Sequence, residues 1–391
     1  MFNNSPLRRR HFLYLGLSGL AGGVAVGARK QMYRVQQTQQ TRALDHPKRE
    51  FTVVGQAPLK KRAVAKGLIY GAAATQYDLA SDAKFTASFV QQCGILVPDL
   101  DLKWDALRPA PDKFDFTKAD WLTEFAQRNS MLFRGHTLVW EQALPKWFKE
   151  TVSPQNAERF LIEHINTVVK RYAGKMHSWD VVNEAVAKSL SDRSDGLSVN
   201  PWLSFLDKNY IDLSFRVAAQ ADPTALLVYN DRWLDYDTPR DSGQRLAVLK
   251  LLEHLKSIGT PVHALGIQAH LNGAETRFNA TKLRNFLKDV ASLGLKILIT
   301  ELDVSDRELP SAPAVRDRIV AAAYEDYLSV VLDERVVIAV LTWQLSDRYT
   351  WLSMYPRSDA ALVRPLPLSS NLEPKLAWNA IARAFDNAPK R

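Results

Sequence analysis

A single cysteine, Cys93, occurs among the 391 residues, so no intrachain disulfide holds this fold and its stability has to come from a packed core. Seventeen glycines and 19 prolines are too few for a collagen-like or low-complexity chain, and 38 aromatic side chains (16 Phe, 12 Tyr, 10 Trp) are too many for a disordered one. A membrane-spanning helix needs about 20 apolar residues; the glycine-rich apolar stretch 12–26 has 15. No Gly-x-Gly-x-x-Gly or Walker lysine loop follows a β-prone run, which leaves a nucleotide-binding fold without support. The main body also lacks the basicity suggested by a formal charge of +9. Residues 1–66 carry 13 Lys/Arg against 2 Asp/Glu, whereas the remaining 325 carry 38 against 40. The excess charge belongs to a tail, and no nucleic-acid partner is expected.

That tail reads as an address. Arg8, Arg9 and Arg10 precede His11-Phe12-Leu13, the apolar stretch follows, and small residues stand at Val26-Gly27-Ala28. A positive region, a short apolar region and a small-residue exit describe an export signal. Arg9-Arg10-His11-Phe12-Leu13 resembles the twin-arginine signal. With Arg29-Lys30 following at once, an uncleaved membrane anchor over 1–28 is the competing reading; both place the body outside the cytoplasm, periplasmic or extracellular. Residues 29–62, with a Gln/Thr run at 36–41 and Lys60-Lys61-Arg62, read as a solvated linker.

From residue 63 onward, β-prone runs alternate with helical periods. The runs are 67–73, 94–98, 131–139, Ser178–Asn183, 225–230, 264–270, 295–300 and 336–343. Several are almost wholly apolar, as parallel strands covered by helices should be. In 155–172 the side chains of Phe160, Leu161, Ile165, Val168, Val169 and Tyr172 share a stripe, with Ser153 and Pro154 as N-cap and first-turn residues. In 244–258 the residues Leu246, Leu249, Leu252, Leu255 and Ile258 are read as the buried stripe, closed by Gly259. Eight such units predict an α/β fold, a (β/α)8 barrel forming one catalytic domain over 63–388. A doubly wound open sheet is the alternative.

In a barrel, the C-terminal strand ends converge on one mouth. Here they carry His136 running on to Trp140, Asn183-Glu184, Asn230-Asp231, Gln268 and His270, Glu301 with Asp303, and Trp343 with Trp351 beyond. Two carboxylates facing each other across a tryptophan-lined mouth suit glycosidic cleavage. One is protonated to donate to the leaving oxygen, the other ionised to attack the anomeric carbon. Indole faces stack on sugar rings, and Asn183 is placed to hold a sugar hydroxyl. Strand-end His and Asp also suit a metallohydrolase, but the first strand has Ile69-Tyr70-Gly71-Ala72 where a His-x-His pair would stand. No metal or organic cofactor is expected, because proton transfer and nucleophile are both carboxylate work.

Gly135-His136-Thr137-Leu138-Val139-Trp140, Trp179-Asp180-Val181-Val182-Asn183-Glu184-Ala185, Tyr229-Asn230-Asp231, Gly266-Ile267-Gln268-Ala269-His270-Leu271 and Ile299-Thr300-Glu301-Leu302-Asp303 resemble, in order, the motifs of glycoside hydrolase family 10, the retaining endo-β-1,4-xylanases. Residues 98–104, 343–351 and Pro374-Lys375-Leu376-Ala377-Trp378-Asn379 resemble its other landmarks, so the likeness spans about 63–385. The resemblance implies Glu184 as acid/base, Glu301 as nucleophile, His270 and Asp303 as its supports, and Asn183 on the 2-hydroxyl. It also implies Lys103, His136, Trp140, Gln268, Asn230, Trp343 and Trp351 as sugar-binding residues. The partner is then a β-1,4-linked polysaccharide or oligosaccharide, xylan foremost, and the chain a monomer.

The sequence departs from that family where sugars are recognised. Asp99-Leu100 replaces the usual Glu-Asn, Glu141 and Ala143 replace a histidine and a glutamine, and Arg232-Trp233 replaces Tyr-Asn. Losing hydroxyl partners at Leu100 and Ala143 relaxes or moves discrimination in the second subsite on the non-reducing side. Another β-linked glycan, transglycosylation, a non-catalytic sugar-binding protein and a cell-surface interaction protein are the alternatives.

Overall fold

The computed structural model of the chain describes residues 44–187 and 195–391. The segment 1–28 expected to direct export, and the linker up to residue 43, lie outside the described residues. The described residues form nine strands: β1 (Ile69–Ala74), β2 (Ile95–Pro98), β3 (Leu132–Gly135), β4 (Ser178–Asn183), β5 (Leu226–Asp231), β6 (Ala264–Ile267), β7 (His270–Asn272), β8 (Lys296–Ser305) and β9 (Val337–Thr342). All pairings are parallel. Successive strands pair from β1 to β6, β6 pairs with β8, β8 with β9, and β9 returns to β1. The result is a closed eight-stranded barrel, with β7 continuing β6 along the outer part of β8.

All eight expected strands form, with shifted ends. The third stops at Gly135 rather than 139. The sixth breaks at Ala269, whose φ is 59°, and the seventh runs on to Ser305. Inside the barrel pack Ala73, Ile95, Val97, Val228, Ala264, Leu298, Ala339 and Leu341, roofed by Trp343. Larger side chains fill the layer between strands and helices. The helix Ala157–Arg171 buries Phe160, Leu161, Ile165, Val168 and Val169 there, as its period predicts. Its start differs from expectation. Asn156 is the N-cap, and its side chain closes a turn by accepting from Ser153 N (2.8 Å) and donating to Thr151 O (2.9 Å).

The helix Pro239–Ser257 begins with a Thr238 cap that accepts from Asp241 N (3.0 Å) and has Pro239 in its first turn. Its buried face is Ala247, Val248, Leu251, Leu252 and Leu255, while Leu246 and Ile258 are exposed. A strict spacing of three drifts about 60° backwards per step around a 3.6-residue turn, so the expected leucine series leaves the core at both ends. Gly259 does follow the helix with φ 71°.

The second half of the expected linker is part of the folded body. Phe51 is buried, and the helix Leu59–Val64 packs on the helix Leu376–Asn387. Asp45 pairs with Arg318 (2.7 Å), and Arg49 with Glu325 (2.6 Å) and Asp326 (2.7 Å). The basic cluster is largely consumed in this packing. Lys60 donates to Val90 O (2.6 Å), and Arg62 donates to Val54 O and Gly55 O and pairs with Asp386. Composition hid this strap because the ion pairs of Asp45, Arg49 and Arg62 are made with residues more than 200 positions away.

Candidate active site

Two register irregularities decide what the barrel mouth presents. Between β4 and β5 the register slips between Asp180 and Val182; between β8 and β9 it slips between Ile299 and Leu302. Strict alternation would send Asn183 outward with Val181 and Glu301 outward with Ile299. An extra residue reverses the alternation. Thr300 and Glu301 therefore meet the same inward-facing side chain, Asn230. Past the strand ends, Glu184 (φ 56°), Trp233 (57°), Ala269 (59°) and Gln344 (77°) all adopt left-handed backbone without being glycine. Such residues cost on the order of 1 kcal/mol each and gather where a site imposes them.

Glu301 is buried and held on both oxygens. Asn230 Nδ2 donates to Oε1 at 2.8 Å, and His270 Nε2 lies 3.1 Å from Oε2. Burial pushes this carboxyl up. The His270 hydrogen bond, the charges of His136 and His270, and the Asn230 amide outweigh it and bring its pKa down to about 2. The other imidazole nitrogen of His270 lies 3.1 Å from Asp303 Oδ2, which also accepts from Trp351 Nε1 at 2.7 Å. Burial works against a charged imidazole, but the two carboxylates win and raise His270 well above its ordinary range. Both nitrogens of His270 thus face carboxylates, and among the described residues no three of His, Cys, Asp and Glu converge as metal ligands.

Glu184 faces the same space from β4. Its Oε1 accepts from Gln268 Nε2 (2.9 Å), and its Oε2 from Trp140 Nε1 (3.1 Å) and Gln142 Nε2 (3.5 Å), with Arg232 Nη1 at 2.5 Å. Two residues tie the carboxylates together. Asn230 O accepts from Glu184 N (2.9 Å) while its amide holds Glu301, and Gln268 O accepts from Glu301 N (3.0 Å) while its amide holds Glu184. Asn183 Oδ1 accepts from Asn230 (2.9 Å) and Gln268 (3.3 Å). Asn230, expected against the sugar, is fully buried. Thr300 donates to its Oδ1 at 2.8 Å, so it positions Glu301 and does not line the cleft.

Lys103, His136, Trp140 and Trp343 gather on one side. Lys103 Nζ stands 5.1 Å from the Trp140 ring centre and 5.8 Å from that of Trp343. His136 meets Trp343 edge-to-face at 5.1 Å. On the other side an open cavity of about 710 Å³ is lined by Trp233, Arg240, His270, Asp303, Arg307 and Trp351 among others.

Several site residues escaped the sequence reading. Asp180 accepts from His136 Nδ1 (2.9 Å) and pairs with Arg134, whose other amine donates to Ser178 (2.8 Å) inside the barrel. Charged residues at inward positions of apolar strands were the available signal. Asp99 accepts from Gln344 (2.8 Å) and lies 4.0 Å from Lys103. Of the departures, Leu100 is 53% exposed, Ala143 is buried, and the preceding Gln142 brings its amide toward Glu184. Arg232 contacts Glu184 directly.

The family model described as glycosyl hydrolase family 10 matches residues 58–384. Endo-1,4-beta-xylanase 5 of Pyricularia oryzae is 32% identical over 336 residues, covering 84% of this chain and 78% of that protein. The beta-1,4-xylanase of Dictyoglomus thermophilum is 34% identical over 300 residues, covering 74% and 81%. Among solved structures, native xylanase 10B of Thermotoga maritima superposes with a TM-score of 0.75 at 30% identity, covering 84% of this chain and 98% of its own. Xylanase 10B of Thermotoga petrophila in complex with xylobiose gives 0.75 at 29%, covering 86% and 99%. The closed parallel barrel is the fold of these neighbours, and the chain belongs to glycosyl hydrolase family 10.

Proposed function

We propose that Glu301 attacks the anomeric carbon while Glu184 protonates the leaving oxygen, in a double displacement on xylan or xylo-oligosaccharides. The chain is an endo-β-1,4-xylanase of a retaining family. In the first step the bond from C1 to the leaving oxygen breaks as the Glu301–C1 ester forms, and the proton of Glu184 goes to that oxygen. In the second, Glu184 takes a proton from water, the water oxygen bonds C1, and Glu301 leaves as carboxylate. The observation that carries the assignment is that two buried carboxylates from different strand ends share one mouth, joined through the same two residues. Glu301 is fixed as an anion by Asn230 and His270, while Glu184 is bound to it through Asn230 and Gln268.

Asn183 is assigned to the 2-hydroxyl of the sugar under attack. Lys103, His136, Trp140, Gln268 and Trp343 hold the sugars on the non-reducing side, with Trp351 walling the reaction centre. The cavity by Trp233 and Arg240 receives the leaving sugars. The xylobiose bound to the Thermotoga petrophila relative supports a cleft that reads at least two rings. The enzyme works as a monomer outside the cytoplasm, delivered or anchored by the arginine-led N-terminal segment; the composition of residues 1–28 supports this. Proton NMR of xylotetraose cleavage tests the mechanism: β-anomers appear first and mutarotate later. First appearance of α-anomers contradicts a Glu301 ester.

A further inference from the structure

Glu184 is aimed at by four N–H donors. Gln268 occupies Oε1; Trp140, Gln142 and Arg232 share Oε2, with Arg232 closest at 2.5 Å. A carboxyl that donates a proton must carry it on one oxygen, and a protonated oxygen is a poor target for a guanidinium. The ion pair is well shielded, with Arg232 14% and Glu184 6% exposed in their side chains. Among the described residues, Arg232 is the only cation in contact with Glu184. The other charged groups around it are Glu141 from the loop after β3, Asp231 from β5, and Glu301 with His270 across the mouth. Burial, with the charge of Glu184 adding to it, raises the Glu141 carboxyl and brings Asp231 up to about 7, so these neighbours favour their protonated forms beside an ionised Glu184.

The arginine is also placed to move. It arrives beside the left-handed Trp233, and its guanidinium rests 4.5 Å from that indole centre, with Arg240 at 4.6 Å from the same ring. Its Nε is buried without a hydrogen-bond partner, so part of its donor capacity is unused where it stands. Trp233 and Arg240 line the cavity on the leaving-group side. A sugar ring seated there competes for both the indole face and the space the guanidinium fills.

We propose that Arg232 is a positioning residue that latches the acid/base: it holds Glu184 as a carboxylate until a leaving-group sugar displaces the guanidinium and frees Oε2. Solvent then supplies the proton that Glu184 passes to the leaving oxygen. The inference rests on the reading of Glu184 as acid/base.

The test is a set of pH–rate profiles for the wild-type enzyme, Arg232→Met and Arg232→Lys. Two substrates are used: xylotetraose, whose leaving sugar needs a proton, and 2,4-dinitrophenyl β-xylobioside, whose leaving group needs none. For xylotetraose, the alkaline limb of kcat/KM in Arg232→Met moves up by about one pH unit. Well above both limbs, its activity relative to plateau is then roughly tenfold higher. Arg232→Lys keeps the wild-type limb, and the aryl substrate shows no displaced limb in any variant. Arg232→Gln serves the same purpose if methionine disturbs packing on Trp233. An Arg232→Met or Arg232→Gln profile superimposable on wild type overturns the latch. So does unchanged pH dependence in Arg232→Met when a third substrate, a uronate-bearing xylo-oligosaccharide, is the only one whose cleavage is lost, which would make Arg232 a binder of acidic sugars. Glu184→Ala, assayed with and without azide, separates the two claims. If it cleaves xylotetraose normally, the acid/base assignment fails; if it collapses while Arg232→Met matches wild type, only the latch fails.

Discussion

Replacing His270 with asparagine removes the largest influence holding Glu301 ionised while leaving a smaller hydrogen-bond donor in its place. The carboxyl stands at about 2 against an ordinary 4.5, a preference for the anion worth about 3 kcal/mol. His270 supplies both a hydrogen bond and a charge to that preference, whereas burial opposes it. Without the imidazole, burial is opposed only by the Asn230 and His136 contributions, and Glu301 rises toward or above its ordinary range. The assay is kcat/KM on 2,4-dinitrophenyl β-xylobioside from pH 3 to 7, because an activated leaving group makes the acid limb report the nucleophile alone. Wild type stays on its plateau down to acid unfolding; His270→Asn falls about tenfold or more by pH 3. The pair also shapes stability. Glu301's pKa is depressed, so its contribution is complete above about pH 4.5 and lost as pH falls toward about 2. His270's is raised, so its contribution is complete below about 6.5 and lost only as pH climbs through its elevated value. A His270→Asn acid limb that coincides with wild type would refute the claim that this imidazole keeps the nucleophile charged.

Two further changes probe the supports. In Gly266→Ala the new Cβ would lie 2.2 Å from Asn230 Oδ1 and 3.0 Å from Thr300 Cγ2. Asn230 then loses its aim at Glu301, a hydrogen bond to a charged group worth about 1.5–3 kcal/mol. kcat/KM on xylotetraose falls roughly 10- to 100-fold, measured by initial rates, with the melting temperature recorded in parallel. Starting the chain at Pro58 removes Phe51 and the Asp45 and Arg49 pairs. At about 2 kcal/mol for the phenyl ring and up to about 1 for the pairs, calorimetry should show a drop of about 5 °C with kcat unchanged.

Much of the barrel was legible because parallel strands are nearly all apolar and so stand out between amphipathic helices. Val336-Val337-Ile338-Ala339-Val340 and Ile297-Leu298-Ile299 needed no partner to be recognised. The polar strand ends were legible for the complementary reason, since Asn183, Glu184, Glu301 and Asp303 interrupt such runs. What stayed hidden depends on relations between distant segments. The register slips that turn Asn183 and Glu301 inward are properties of strand pairs and leave no periodic trace. Asn230 reads as a strand-end polar group like the others, yet its neighbours Thr300 and Glu301 enclose it. Arg232 is visible as an unusual residue after Tyr229-Asn230-Asp231, but its partner lies across β4. The strap 44–62 looks like a linker because the partners of Arg49 and Arg62 are Glu325, Asp326 and Asp386, which nothing in the local sequence announces.

The central claim is that Glu301 becomes covalently bound to the sugar. Incubating the enzyme with 2,4-dinitrophenyl 2-deoxy-2-fluoro-β-xylobioside tests it most directly, because the fluorine slows both steps and the good leaving group rescues only the first. The account predicts a mass increase of one 2-fluoroxylobiosyl unit, carried by the peptide containing Glu301, with inactivation matching its accumulation. A label on any other residue, or full binding of the inhibitor with no covalent adduct, would contradict it.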